Sequence, residues 1–280
     1  MEPVPQSWKG TCQPGLLALG ALHAAKRDIA VVANCGNSGP TPSTVTNVAP
    51  WIVSVGASRI DRVFSSPVLL GNGIKIQGQT LTPHTLIMMR PLVYAGDEEI
   101  SGTSNNDTSG QCLSGALSPE QVRGKIVLCL SGYSANVEKG LEVKRAVGLG
   151  FILQNPIDGI SISVDAHVLP GTAIFSNDSD FVLNYIRSNK NATARIVPVR
   201  TVVGSKPSPF MAGFSSTGPN AFDPNILKPD ITAPGLNILA AWSGASVGGP
   251  SHVVDPTTYG KRKIKKMKSK SHFGKEEGIK

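Results

Sequence analysis

Short apolar runs separated by tight polar loops dominate the first sixty residues of the chain. Residues 16–26 are rich in Ala and Leu and predict a helix, and the apolar run at residues 29–33 follows after two polar residues. An uninterrupted run of this length is typical of a strand buried on both faces of a parallel sheet. Residues 51–56 predict a second buried strand. This is the pattern of an α/β fold, and it places residues 36–40 at the carboxyl end of a strand, where ligands gather in open α/β sheets.

The pattern changes in the middle of the chain, where polar loops rich in Gly, Ser and Asn separate short strands at residues 125–129 and 150–153. The sequence Ser-Pro-Glu-Gln at residues 118–121 has the form of a capping box with Pro at the first helical position, which predicts a short helix. Residues 136–147 predict a helix ended by Gly148. We expect a separate mixed α/β module of about 115 residues, a size that buries roughly two thirds of its surface by itself.

Turn-rich, strand-like sequence returns after residue 200, at residues 210–219 and 228–235. No internal repeat is found. These changes predict four parts: a first α/β segment (residues 1–82), the mixed module (83–200), a second α/β segment (201–246) and a tail (247–280).

The positive charge of the chain is concentrated in its tail. Residues 261–280 hold nine Lys or Arg and two Glu, a net +7, so residues 1–260 carry only +1 of the total of +8. The run at residues 261–268 fits a nuclear signal or a nucleic-acid arm. It has no apolar periodicity and repels itself, which favours a solvated, disordered tail and no nucleic-acid partner.

Targeting signals in the sequence conflict with one another. No apolar stretch approaches the roughly 18 residues of a membrane span, and the first residues lack the basic start and apolar run of a signal peptide. Taken literally, the chain is cytosolic. Asn106, Asn177 and Asn191, however, each begin an N-glycosylation sequon, and three sequons within 88 residues favour a secretory origin.

The four cysteines do not form a metal or thioredoxin motif, because none belongs to a CxxC pair or lies near a His cluster. Cys112 and Cys129 are close enough in sequence to be bridged, whereas Cys12 and Cys35 have no obvious partner. We therefore expect no metal and no cofactor.

Four stretches of the sequence, in order, resemble plant-type subtilisin-like serine proteases, the subtilases. They are residues 2–12, 31–40, 214–219 and 227–235, the last of which continues into residues 238–242. The resemblance covers residues 2 to about 246. It implies a partial subtilisin-like parallel sheet, interrupted by a mixed α/β protease-associated (PA) domain that the family carries between the two halves of its catalytic domain.

The resemblance also implies roles for individual residues. In this family the Asn of a GNxGP loop donates a side-chain N–H to the oxyanion of the tetrahedral intermediate, and this Asn corresponds to Asn37. Gly36, Gly39 and Pro40 shape the loop, although on local sequence alone an ordinary strand-ending turn is the simpler interpretation. The resemblance implies a disulfide between Cys112 and Cys129.

For the parent enzyme, the resemblance implies a peptide or protein substrate, an extracellular (apoplast) location and contacts between two copies through the PA domain. It implies no nucleic-acid or membrane partner.

The segments that carry the catalytic triad of this family are missing from the sequence. A serine protease needs a Ser nucleophile, a His base and an Asp that orients the His. In this family the Asp motif lies before the segment that corresponds to residues 2–12. The GHGTHT-like His motif lies at the position where Gly15 joins Leu16 in this chain, and the GTSM-like Ser motif lies after the segment that corresponds to Trp242. We therefore expect the chain as written to be truncated and inactive, with a non-catalytic interaction module built on the PA domain as the alternative.

Substitutes for the triad are weak on sequence grounds. The sequence at residues 102–104, Gly-Thr-Ser, lies inside the mixed module, and in Pro250-Ser251-His252 adjacent residues of an extended chain point to opposite faces. Asp230 is expected to shape the region near the active site without a catalytic part. Cys35 is expected to be a small buried thiol.

Overall fold

The computed structural model describes residues 15–156, 162 and 164–238 of the chain. The predictions made for residues 2–12, Cys12, residues 239–242, the Pro250-Ser251-His252 sequence and the basic tail lie outside these residues. Within the described residues, no helix has both the length and the apolar content needed to cross a bilayer.

The described residues form a mixed α/β fold, as predicted, with four helices and fourteen strands. The helices are α1 (Leu16–Ala25), α2 (Pro119–Val122), α3 (Asn136–Arg145) and α4 (Ser176–Ser188), and a 3-10 turn spans Ala95–Asp97. The strands are β1 (Val31–Asn34), β2 (Ile52–Arg59), β3 (Val63–Ser65), β4 (Val68–Leu70), β5 (Lys75–Ile76), β6 (Gly78–Gln79), β7 (Leu86–Tyr94), β8 (Ile126–Cys129), β9 (Gly150–Gln154), β10 (Gly171–Ile174), β11 (Thr193–Ile196), β12 (Arg200–Val202), β13 (Phe210–Met211) and β14 (Ile231–Pro234).

The smaller of the two sheets is built around β2. Strands β1 and β14 pair with β2 in parallel, and β13 pairs with it antiparallel. Its core is small, because only Ala21, Ala49 and Ile52 are buried together in it. The Trp51 indole N–H donates to the backbone oxygen of Ala18 at 2.8 Å and fixes α1 to one side of this sheet.

The prediction that residues 29–33 are buried on both faces is wrong. Ile29 is 57% exposed and Val32 is 65% exposed. The reason is that β1 pairs with a single described strand, β2, and alternates half-buried and exposed side chains along its length. The strand therefore has the apolar sequence of an interior strand, but it lacks a described neighbouring strand on its second side.

The larger sheet has ten strands in the order β12-β3-β6-β10-β9-β8-β7-β11-β4-β5. Its four central strands, β10, β9, β8 and β7, run parallel to one another, and antiparallel strands flank them on both sides. The sheet begins at Val63, so the boundary predicted at residue 83 does not coincide with its start. Strands β3, β4 and β6 pair with β12, β11 and β10, respectively, and β5 pairs with β4. All four therefore belong to this sheet by hydrogen bonding.

Two separate cores cover the two faces of the ten-stranded sheet. Successive residues of β8 and β9 alternate between them, so that Ile126 and Leu128 enter one core while Val127 and Cys129 enter the other. Helix α4 contributes Val182 and Tyr185 to the first core, and α3 contributes Val143 to the second. Complete burial of one such aliphatic side chain contributes roughly 1.5–3 kcal/mol.

Two local predictions in this region need correction. Ser118 precedes α2 as predicted, but its side chain makes no capping hydrogen bond, so the capping box is not formed. Helix α3 ends at Arg145, and the left-handed residue after it is Val147 (φ 60°) rather than Gly148. Gly148 has a steric role instead, because a Cβ there would lie 2.5 Å from Val143 Cγ1.

Candidate functional site

The loop Gly36–Pro40 leaves the carboxyl end of β1, at the edge of the smaller sheet. Asn34, the last residue of β1, fixes the start of the loop: its Oδ1 accepts from the Gly36 N–H at 3.0 Å, and its backbone oxygen accepts from Asn47 Nδ2 at 2.8 Å. Gly36 has φ +102°, a conformation that L side chains rarely adopt. The chain therefore turns sharply as soon as the strand ends.

A second segment, residues 214–219, holds the loop from a distant part of the sequence. The Ser38 N–H donates to Ser216 Oγ at 3.0 Å, across 178 residues of chain. The Gly39 N–H donates to the Phe214 oxygen at 2.9 Å, and the Ser216 N–H donates to the Gly36 oxygen at 3.1 Å. Three hydrogen bonds thus fix the loop backbone against one segment.

Both glycines of the loop are required by this contact. A Cβ at Gly36 would lie 2.6 Å from Ser216 Oγ, and a Cβ at Gly39 would lie 2.0 Å from the Ser215 backbone oxygen. Real Cβ atoms do not approach other atoms this closely, so a side chain at Gly39 would push residues 214–219 away from the loop.

Cys35 packs between the loop Gly36–Pro40 and residues 214–219. The thiol is buried, and its Sγ lies 3.3 Å from Ser215 Oγ and 3.4 Å from the Ser216 oxygen. Ser215 Oγ in turn accepts from the Ala57 N–H of β2 at 3.0 Å. Cys35 therefore has a packing position, in line with the buried thiol that the sequence predicted.

Asn37 lies at the exposed tip of this rigid loop. The N–H groups of Gly36, Ser38 and Gly39 are all used in fixing the backbone. The Asn37 amide makes no hydrogen bond to any residue in the described part of the chain. The arrangement presents a neutral N–H donor to solvent from a backbone whose position is determined on both sides.

An ion pair between the buried Lys228 and the exposed Asp230 lies just before β14 and connects that strand to β2. Lys228 Nζ donates to Asp230 Oδ2 and to the Ile52 oxygen, both at 2.6 Å. Asp230 Oδ2 also accepts from the Ser54 N–H at 2.7 Å and from Ser54 Oγ at 3.0 Å. Burial would raise the pKa of Asp230, but the bonds from Lys228 and Ser54 outweigh it and hold the pKa below its usual value. All of these bonds stabilise the sheet, which gives Asp230 a structural position.

Three plant proteins illustrate what the sequence is similar to. Subtilisin-like protease SBT5.6 of Arabidopsis thaliana is 49% identical over 245 residues, which cover 87% of this chain and 30% of the relative. SBT5.5 is 50% identical over 82% of this chain and 29% of the relative, and SBT1.7 is 46% identical over 84% and 30%, both from the same plant. The chain is homologous to plant subtilisin-like proteases. It spans about 30% of the length of the relatives it matches.

Other comparisons are weaker than this homology. No protein family profile matches the chain. A psychrophilic subtilisin-like protease from Pseudoalteromonas superimposes with a TM-score of 0.34 and 11% identity, covering 74% of this chain and 55% of that one. A zinc aminopeptidase from Bacillus subtilis gives 0.35 and 13%, covering 54% and 35%.

The chain has no assembled Ser-His-Asp triad within its described residues. Ser104, of the Gly-Thr-Ser sequence, donates to the Glu99 carboxylate, which also accepts from Ser109 Oγ at 3.1 Å and from the Gly110 N–H at 2.8 Å. No described His side chain is hydrogen-bonded to a Ser hydroxyl. His167 is buried, and its Nδ1 has no hydrogen-bond partner. The same residues contain no group of three or more His, Cys, Asp or Glu side chains that could hold a metal ion.

The remaining predicted site residues of the chain lie in the ten-stranded sheet region. Cys112 and Cys129 form a disulfide, which is the pairing that the resemblance implied. The sequon residues Asn106, Asn177 and Asn191 are all exposed.

Sequence reasoning did not find the supporting residues of the loop. Ser215 and Ser216 were recognised only as part of a family stretch, and Lys228 was not assigned any role. The available signal was local: three polar residues lie between Phe214 and a Gly-Pro pair, and Lys228 lies two residues before Asp230 at the start of a strand-like stretch.

Proposed function

We propose that these 280 residues are two segments of the catalytic domain of a serine endopeptidase together with its inserted PA domain, and that they do not hydrolyse peptides. The parent enzyme cleaves peptide bonds through an acyl-enzyme. The observation that carries the proposal is the loop Gly36–Pro40, fixed by residues 214–219, in a sequence without GHGTHT-like and GTSM-like segments. A donor is held in place, while the nucleophile and base that would create an oxyanion are missing.

In this proposal Asn37 is the oxyanion donor of the parent site. Such a donor acts by standing, already oriented, where negative charge develops in the transition state, and removing one from a subtilisin raises the barrier by about 2.7–4 kcal/mol. The three hydrogen bonds to residues 214–219 supply the orientation, because they leave the side chain free and the backbone fixed. Gly36, Gly39 and Pro40 act only by shaping the loop.

Active-site labelling tests the inactivity of the chain. We expect the full chain to show no labelling by a fluorophosphonate and no hydrolysis of a casein or fluorogenic peptide substrate above a buffer blank. An active subtilisin-like protease treated in parallel provides the positive control. Stoichiometric labelling of any Ser, located by mass spectrometry of the digested chain, would overturn the proposal.

The second candidate is a non-catalytic interaction module, which we propose to be a PA domain extending over residues 63–202. Two cores and one disulfide fall within this region. An exposed apolar surface favours an interaction role: Ile87, Met88 and Met89 are 62%, 61% and 41% exposed in the first half of β7. Only the second half of β7 pairs with β8, so no described strand pairs with the first half of β7 on that side. This free edge is suited to pairing with a second copy of the chain, as proposed for the parent enzyme.

We also propose that the parent protein is extracellular and glycosylated at Asn106, Asn177 and Asn191. The disulfide supports an oxidising compartment, because thiols stay reduced in the cytosol. The three Asn side chains are exposed, as attachment of a glycan requires. Mass spectrometry of glycopeptides from the chain secreted by a plant cell measures the occupancy of these sites.

A further inference from the structure

An open groove lies beside the carboxyl end of α4, on the ten-stranded sheet region and far in sequence from the loop Gly36–Pro40. Its volume is about 550 Å³. Its lining residues are two aromatic ones, Phe181 and Tyr185, and five polar ones: Asn72, Asn184, Arg187, Ser188 and Asn189. Phe181 is 43% exposed, so part of its ring is available for contact with a bound group.

The sequon of Asn191 adjoins this groove. The Ala192 N–H donates to the Asn189 oxygen at 3.1 Å, so residues 189–192 form a β-turn whose first residue lines the groove and whose third residue is Asn191. The Asn189 side chain is itself fixed, because its Nδ2 donates to the Tyr185 oxygen at 2.9 Å. The residue that would carry a glycan thus follows a lining residue, Asn189, by two positions in the same turn.

Thr193, the last residue of the sequon, forms hydrogen bonds to two residues beside the groove. The Thr193 oxygen accepts from the Gly71 N–H at 2.8 Å and from the Tyr185 hydroxyl at 3.3 Å. Gly71 precedes Asn72, and both Asn72 and Tyr185 line the groove. The position of Asn191 relative to the groove is therefore determined by hydrogen bonds rather than left to a flexible loop.

The lining fits the chemistry of N-acetylglucosamine, the sugar that is attached to Asn in a sequon. A pyranose ring has an apolar C–H face that packs on an aromatic ring, and hydroxyl and acetamide groups that pair with side-chain amides. Phe181 offers the ring. The Asn72 and Asn184 amides offer donors and acceptors, and Asn72 uses only its Oδ1 locally, to accept from the Ile74 N–H at 3.1 Å.

We propose that the groove binds the innermost N-acetylglucosamine units of a glycan attached to Asn191 of the same chain. Phe181 packs against the sugar ring, and Asn72 and Asn184 hydrogen-bond its polar groups. The glycan acts as a covalently attached ligand that covers an exposed aromatic side chain. This inference rests on the proposed glycosylation of Asn191.

The test compares thermal unfolding of the full chain and three variants, Asn191→Gln, Phe181→Ala and the double variant, secreted from a plant cell with an added leader. Mass spectrometry of the glycopeptides measures the occupancy of Asn191. We expect each single variant to lower Tm by about 2–4 °C, and the double variant to lower it no further than either single one. Phe222→Ala, at a 60% exposed ring in the smaller sheet region, and Asn106→Gln are the matched controls and should not show this coupling.

The outcomes separate the two proposals. An unmodified Asn191 would overturn both the glycosylation and the groove inference. Full occupancy with additive effects, or the same Tm loss from Phe181→Ala in the Asn191→Gln background, would overturn the groove inference alone. If Asn191→Gln fails to fold, enzymatic removal of the glycan from the folded chain replaces it. The inference then requires that removal of the glycan lowers the Tm of the unsubstituted chain but does not lower the Tm of the Phe181→Ala variant.

Discussion

Strands β1 and β8 are both four residues long and both apolar in sequence, yet their surroundings differ completely. Every residue of β8 is buried, whereas β1 alternates half-buried and exposed side chains. Strand β8 has a neighbour on each side, β7 and β9, and a core on each face. Among the described strands, β1 pairs only with β2, and it contacts the small core beneath α1. An apolar run therefore indicates that a strand would be stabilised by burial, but its neighbours in the fold determine whether it is buried.

The contrast has an energetic meaning for the two regions. The larger sheet places the apolar side chains of its central strands in two cores, while the smaller sheet leaves Val32, Val53 and Ile231 40–65% exposed. Burial of an aliphatic side chain contributes roughly 1.5–3 kcal/mol to the free energy of unfolding. The smaller sheet lacks much of this contribution for each side chain that stays exposed. We expect the ten-stranded region to be stable by itself and the smaller sheet to depend on it.

The largest expected effect comes from separating the regions. Residues 60–204 expressed alone should unfold cooperatively in urea, whereas residues 83–200 should not, because they lack strands β3 to β6, of which β3, β4 and β6 pair with β12, β11 and β10. Circular dichroism follows the unfolding, and sedimentation of the same samples measures whether the longer piece is a dimer. A cooperative transition from the shorter piece would show that these strands are dispensable and that the boundary at residue 83 is adequate.

A smaller effect is expected from acid, and it should affect the larger region first. Burial lowers the pKa of His167 to about 4, although Asp165 opposes this. The ring meets Phe151 edge-on, with centroids 4.7 Å apart. An unfolded imidazole takes up its proton near pH 6.5. The unfolded state therefore binds more protons between these two values, and stability falls as the pH drops from about 6.5 to about 4, by on the order of 3 kcal/mol.

Urea denaturation at pH 7 and pH 4.5 measures this loss, with His167→Asn as the variant that should flatten it. The smaller sheet provides the contrast. Because Asp230 has a lowered pKa, its contribution is present above the ordinary carboxyl pKa and is lost only as the pH falls through the lower, folded value. An equal pH dependence in His167→Asn would assign the acid sensitivity to another group.

The smallest effect concerns the loop in the smaller sheet. Gly39→Ala should destabilise that sheet by about 2 kcal/mol, since its Cβ would lie 2.0 Å from the Ser215 oxygen and force residues 214–219 to move. Asn37→Ala, two residues away and exposed, should change stability by less than about 0.5 kcal/mol. Trp51 fluorescence follows the unfolding of this sheet in a background with Trp8 and Trp242 replaced by Phe. Equal effects of the two variants would mean that the loop is not held as described.

Sequence reasoning predicted the elements whose signals are local. The helices at α1 and α3 and the strands β1, β2, β8 and β9 are confirmed within a few residues of their predicted bounds. Strands β3 to β6 were missed because two or three residues carry no periodicity. They are strands only because other strands of the sheet hold them. Strand β7 was missed as well, since Arg90 and Pro91 interrupt its apolar sequence.

The candidate site divides in the same way. The sequence identified the loop Gly36–Pro40 through its resemblance, and the role of Asn37 stays a prediction. The support could not be predicted, because the contact between Ser38 and Ser216 joins residues 178 positions apart. No local pattern carries such a pairing. The same holds for Lys228, whose partner Ile52 lies in another part of the chain.

This separation also determines when the loop can form during synthesis. Gly36–Pro40 leaves the ribosome early, but the segment that fixes it follows only after the whole ten-stranded region has been made. At about 5–20 residues per second, the wait is about 10–40 s. The ten-stranded region has its own cores and has time to fold first, which brings the two ends of the smaller sheet together. In the growing chain, folding of the inserted region would thus bring residues 214–219 to the loop Gly36–Pro40 and allow them to fix it.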